Sequence, residues 1–147
     1  MVESKKSKIS FFFGGISLPI KERKFLKKFI SSIFKNEGAK IELLNIIFTT
    51  DYELLKYNRL YLKHNTLTDI ITFDLSQNKK KVSAEIYISY DRVKENALSF
   101  NTSYTKELHR VIFHGVLHLC GYQDKILKDK KCIRKKEDHY LELYFAY

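Results

Sequence analysis

Apolar residues recur along this chain with two different periods, and each change of period marks a new element. Phe25, Leu26, Phe29, Ile30, Ile33 and Phe34 fall at three-to-four spacing, which predicts one amphipathic helix. Pro19 is placed to open that helix and Gly38 to close it. The stretch 40–50, "KIELLNIIFTT", is rich in branched apolar residues and reads as a buried strand. Asp51 can then cap a short helix over "YELLKYNRLYL". Two more strands are expected, over 68–76 ("TDIITFDLS") and 82–90 ("VSAEIYISY"). The polar loop 77–81 separates them, and the second runs antiparallel to its neighbour. Near the N-terminus the apolar run Ile9–Phe13, broken by Ser10, also reads as a strand.

Helices dominate the rest. Residues 91–100 suggest a short helix or turn. Ser103 or Thr105 can cap a longer helix whose buried stripe is Leu108, Val111, Ile112, Val116 and Leu119. Gly121 ends it, and a basic then aromatic helix follows over 125–147. Elements in this order predict an α+β fold, a small mixed sheet covered on one side by helices. No repeat, linker or low-complexity tract interrupts it, so residues 1–147 are expected to form a single domain, with the longer helix near the C-terminal third.

Composition adds three constraints. No segment approaches the ~20 uninterrupted apolar residues of a membrane span, and the N-terminal run is too short for the core of a signal peptide. Only Cys120 and Cys132 are present, without CxxC spacing, so a reduced, cytoplasmic chain is expected. The net charge of +10 favours polyanions as partners, nucleic acid above all. A solvated lysine-rich surface accounts for the same charge, including the basic side of the first helix at Lys21, Arg23, Lys24, Lys27 and Lys28.

The chemistry concentrates in "FHGVLHLCGYQDK", residues 113–125. At about 100° per residue, His114 and His118 lie only ~40° apart on the helix, so their imidazoles can converge on one ion. By the same arithmetic His109 sits ~140° and ~180° from them and cannot join. Gly115 is read as keeping the helix surface open beside His114, and Gly121 as turning the chain so that Asp124 approaches as a third ligand. Two imidazoles and a carboxylate with an open position suit catalytic zinc, or Fe(II), Mn(II) or Ni(II). An ordinary buried helix with two hydrogen-bonded histidines satisfies the same spacing. Gly115 stands where an HExxH protease would carry its glutamate base, which argues against a peptidase. Cys120 lies ~200° from His118 and points away, so a closed structural zinc site is disfavoured.

The same residues carry a resemblance. "HGVLHLCGYQD" resembles the HGxLHLxGYDH signature of the YbeY family, metal-dependent endoribonucleases of ribosomal RNA maturation. "NRLYLKHNTLTDIITF" (58–73) and "AEIYISYDRVKENA" (84–97) resemble that family's central segment and its Gly-Asp-Ile-x-Ile-Ser strand with the following helix. The resemblance implies a single YbeY-like domain and a cytoplasmic, single-strand-specific endoribonuclease. Its work would be 16S rRNA 3′-end maturation and ribosome quality control. It implies one divalent ion, Zn2+ first, with ribosomal RNA, the ribosome and ribosomal or GTPase proteins as partners and no membrane. The family's ligands follow H-x3-H-x5-H, which maps onto His114, His118 and Asp124. Aspartate in place of the third histidine makes the site one charge more negative, lowers the ion's Lewis acidity and favours harder ions; His139 is the substitute if Asp124 is not a ligand. The family's arginine after the central aromatic is Leu62 here, so Arg59, one turn earlier, is the candidate phosphate clamp and catalytic residue. Ala84 and Glu85 replace the family's Gly and Asp as conservative changes near the sheet. Thr68 and Asp69 are expected to order their strand rather than react. RNA affinity is assigned to Lys125, Lys128, Lys130, Lys131, Arg134, Lys135 and Lys136. Two alternatives stay open: a non-enzymatic RNA- or ribosome-binding module with a structural or vestigial metal, and a non-RNA metal hydrolase.

Overall fold

The computed structural model describes residues 8–15, 20–63, 67–78 and 81–146. In chain order the elements are β1 (Ile9–Phe12), α1 (Arg23–Asn36), β2 (Lys40–Thr49), α2 (Asp51–Tyr61), β3 (Ile70–Asp74), β4 (Lys81–Ser89), α3 (Tyr90–Ser99), α4 (Tyr104–Leu119) and α5 (Leu127–Phe145). The sheet order is β1-β2-β4-β3. The first two pairings are parallel and β3–β4 is antiparallel, as the mixed α+β expectation requires.

Strand alternation divides the sheet into two unlike faces. Leu44, Ile46 and Phe48 of β2, with Ala84, Ile86 and Ile88 of β4, point into the core and are almost fully buried. Burying each large aliphatic chain is worth about 1.5–3 kcal/mol, so this face dominates the fold's stability. α1 and α4 cover it through Leu26, Ile30, Ile33, Ile112, Phe113 and Val116. Phe25 and Phe29 of α1 are part-buried instead and lie 5.2 and 5.1 Å from the ring of Tyr144. α5 thereby packs onto α1 and α4 rather than onto the sheet. Among the described residues, no helix is long and apolar enough to cross a membrane.

Several details differ from the sequence reading. The opposite sheet face is not bare: Tyr57 of α2 rests on Tyr87 of β4 at 4.9 Å, so α2 covers part of it. Helix α1 begins at Arg23, and Pro19 lies outside the described residues. Thr50, not Asp51, caps α2, accepting the Glu53 backbone N–H on its hydroxyl at 3.2 Å. Asp51 binds elsewhere, taking the Ser89 hydroxyl at 2.6 Å and Arg92 at 2.9 Å, which joins the starts of α2 and α3. Ser103 is the cap of α4, and Tyr90 opens α3 rather than ending β4.

Gly115 has a different role from the one its neighbour suggested. A Cβ there would lie 2.7 Å from Cδ1 of Ile70 and 3.0 Å from Cδ1 of Ile86. It faces the sheet and lets α4 come close to β3 and β4; it does not open the surface beside His114. That close approach sets the depth at which the histidines sit against β3.

Candidate metal centre

Helix α4 delivers two histidines one turn apart, and the turn after it supplies what they need. Gly121 adopts φ +105°, a conformation open to glycine. The reversal bonds Gly121 N–H to the His118 carbonyl at 3.0 Å and Tyr122 N–H to the Leu117 carbonyl at 3.1 Å. It also returns the Tyr122 carbonyl to His118, whose Nδ1–H donates to it at 2.8 Å. His114 Nδ1–H donates at 2.8 Å to Oε2 of Glu137 on α5. A carbonyl and a carboxylate can only accept, so a proton belongs on Nδ1 of each ring, and each ring in its neutral form turns an Nε2 lone pair inward.

Those two lone pairs meet. His114 Nε2 and His118 Nε2 are 2.9 Å apart, and Oδ2 of Asp124 is 3.2 Å from each. The three side chains are the group of possible metal ligands found among the described residues. With the imidazoles neutral, three acceptors converge with no proton between them, an arrangement a cation resolves. The donor set of two nitrogens and a carboxylate oxygen fits a divalent ion of the zinc type. His139 is not part of this group; it is exposed on α5, its ring 5.0 Å from that of Tyr140.

The surroundings are strongly acidic. Asp69, Glu107, Arg110, His114, Asp124 and Glu137 line a cleft of about 270 Å³ with Ile70 and Val111. Arg110 Nη1 stands 3.4 Å from Glu137 Oε1 and 3.0 Å from Asp138 Oδ1. Burial opposes the His114 imidazolium, but the bond and charge of Glu137, then Asp124 and Asp69, outweigh it and hold the His114 pKa above 6.5. Burial raises the Asp69 carboxyl, with His114 pulling the other way, and it raises Glu107 against the pull of Arg110. Asp69 does order its strand, since its carbonyl accepts Ser89 N–H at 2.9 Å, while its side-chain Oδ2 accepts from Asn96 Nδ2 at 3.1 Å. Its place in the cleft is the part sequence reasoning passed over.

Glu137 was missed altogether. It sits in "RKKED", which reads as a solvated charge run, yet it is 4% exposed. The available signal was its register with Ile133, Tyr140, Leu141 and Tyr144, the buried stripe of α5. A carboxylate within an apolar stripe needs a buried partner. Arg59 is exposed in the last turn of α2 and does not line the cleft, whereas Arg110 does. Of the seven basic residues assigned to RNA, six are exposed. Lys136 is half-buried and lies 3.3 Å from Glu37. Cys120, facing away from the histidines, is pushed up to about 12 by burial and the Glu37 charge.

Residues 16–144 match the family model described as endoribonuclease YbeY. The endoribonuclease YbeY of Cytophaga hutchinsonii is 44% identical over 139 residues, covering 95% of this chain and 97% of that protein. That of Flavobacterium psychrophilum is 43% identical over 136 residues, covering 92% and 96%. A solution structure of a Thermotoga maritima protein superposes with a TM-score of 0.65 at 31% identity, covering 94% of this chain and 89% of that one.

Proposed function

This chain belongs to the endoribonuclease YbeY family, and from that membership we propose a metal-dependent endoribonuclease whose ion is held by His114, His118 and Asp124. The convergence of three lone-pair atoms within 3.2 Å carries the reading. Zinc is the ion the donor set suits first. Held there, it would supply Lewis-acid charge to a scissile phosphate and acidify a water for attack. The remaining work belongs to the side chains. Glu137 and the Tyr122 carbonyl keep the Nδ1 protons of His114 and His118, which leaves each Nε2 free to bind. Asp124 supplies the negative charge that the third histidine of the family motif would not.

The substrate is single-stranded ribosomal RNA, with 16S 3′-end maturation and ribosome quality control as the cytoplasmic setting and the ribosome as partner. The exposed cations of α5 position the RNA backbone without reading sequence. Arg59 clamps a phosphate from the end of α2, a role suited to its two-pronged guanidinium. The whole chain works as one domain.

A labelled RNA spanning the 3′ end of precursor 16S rRNA tests this, single-stranded and annealed to a complement. Cleavage of the single strand that needs added metal, stops with chelator and falls at least ~100-fold in His118→Ala is expected. Cleavage indifferent to chelator and to that substitution would overturn the reading.

A further inference from the structure

Tyr61 closes α2 and is 61% exposed. It lies nearly parallel to Tyr57, 6.1 Å away at 19°, and Phe73 of β3 meets it edge-on at 5.7 Å. Tyr87 of β4 supports both, 4.9 Å from Tyr57 and 5.7 Å from Phe73. The three supporting rings are part-buried. They hold the fourth in one orientation while most of it faces solvent.

The neighbouring surface is apolar and cationic together. Leu60 and Leu62, on either side of Tyr61 in the chain, are both exposed, and exposed apolar side chains beside an exposed ring mark an interaction site. Arg59 and Lys63 stand exposed on either side of Tyr61 in sequence. One turn earlier Lys56 lies over the Tyr52 ring at 5.4 Å, and Glu53 is drawn to that lysine at 3.9 Å.

The position of β3 links this cluster to the metal cleft. β3 is one of the two edge strands of the sheet. Asp69 and Ile70 line the cleft, and Ile70 points toward α4. Phe73, three residues along and roughly 10 Å away by the strand rise, points to the opposite face, against Tyr61. β3 therefore carries the cleft on one face and the aromatic cluster on the other.

Resting on the endoribonuclease reading, we infer that Tyr61, seated on Tyr57, Phe73 and Tyr87, is a stacking subsite for an unpaired base of the RNA substrate. A base offers its face to any aromatic ring whatever its identity, so such a subsite needs no sequence readout. In a duplex the bases are already stacked on one another and present only edges, so the subsite favours single strands. The flanking cations suit the phosphates on either side of the stacked base, which favours RNA over a protein partner for this patch.

Fluorescence anisotropy in EDTA, which stops turnover, separates this proposal from the one beneath it. The probes are a labelled 12-nucleotide RNA, the same RNA with abasic sites, and its duplex. Tyr61→Ala, whose site is exposed and spares the core, is expected to weaken single-strand binding roughly tenfold. Tyr61→Phe should restore it, while the abasic and duplex probes bind wild type and Tyr61→Ala alike. Equal single-strand affinity for wild type and Tyr61→Ala would overturn the subsite and leave the patch to a protein partner, with the endoribonuclease reading intact. An equal loss on the duplex would overturn it too, because backbone contact alone would then explain the tyrosine. Wild type binding none of the three probes would contradict the RNA substrate itself, and the subsite with it.

Discussion

Oε2 of Glu137 accepts the Nδ1 proton of His114 at 2.8 Å, so the last helix sets the tautomer of a histidine 23 residues earlier in the chain. The other oxygen, Oε1, faces Arg110 at 3.4 Å and Arg134 at 3.8 Å. Glu137 is thus buried without being an uncompensated charge. Its contribution is to orientation: it fixes the imidazole plane and directs the Nε2 lone pair toward His118 and Asp124.

Removing that support is expected to loosen the metal without displacing any ligand. Glu137→Ala should weaken metal affinity by about 10–100-fold, and Glu137→Gln, which can still accept the Nδ1 proton, by much less. Competition with a chromophoric chelator reads both. Equal affinity in wild type and Glu137→Ala would show that the bond does not orient the ligand.

Gly115→Ala places a methyl against Ile70 and against Ile86, which is fully buried and held between β-strand neighbours. The expected cost is about 1–3 kcal/mol of stability, the usual penalty for an extra carbon in a filled core. Urea unfolding of the two proteins measures it. A variant as stable as wild type would mean that α4 has room to move off the sheet.

His109 gives a pH signature distinct from the metal centre. It is buried among Phe113, Tyr144 and Phe145, and its Nδ1–H donates to the Thr105 carbonyl at 2.6 Å. Burial lowers its pKa below the ordinary 6.5, with the Thr105 bond acting in the other direction. The unfolded chain therefore takes up its proton at a higher pH than the folded one. The stability His109 contributes is complete above about pH 6.5 and is lost as pH falls toward the folded pKa. Melting temperatures of wild type and His109→Phe, compared from about pH 8 to pH 5.5, should diverge in the variant's favour at the acid end. A constant gap would contradict the shift.

The sequence spoke most clearly where geometry is local. The 3.6-residue period alone put His114 and His118 side by side and set His109 apart, and the structure has them 2.9 Å apart with His109 in the aromatic core. β1, β2, β3 and β4 were equally legible, because each is a short run of branched or aromatic residues. Long-range placements were not. The register of Glu137 with the buried stripe of α5 signals that it turns inward, but its pairing with His114 depends on how α5 lies across α4. Gly115 was misassigned for the same reason: its meaning lies in Ile70 and Ile86, distant in sequence. Arg59 and Arg110 illustrate the difference between neighbours along the chain and neighbours in space, since Arg110 lines the cleft and Arg59 does not.

The central claim is that Asp124 completes the site begun by His114 and His118. Elemental analysis of the purified, tag-free protein beside its Asp124→Ala variant tests it most directly. The account predicts about one divalent ion per wild-type chain and a loss or strong weakening in the variant. No ion in either protein after incubation with Zn(II), Ni(II) and Mn(II), or equal occupancy in both, would contradict it.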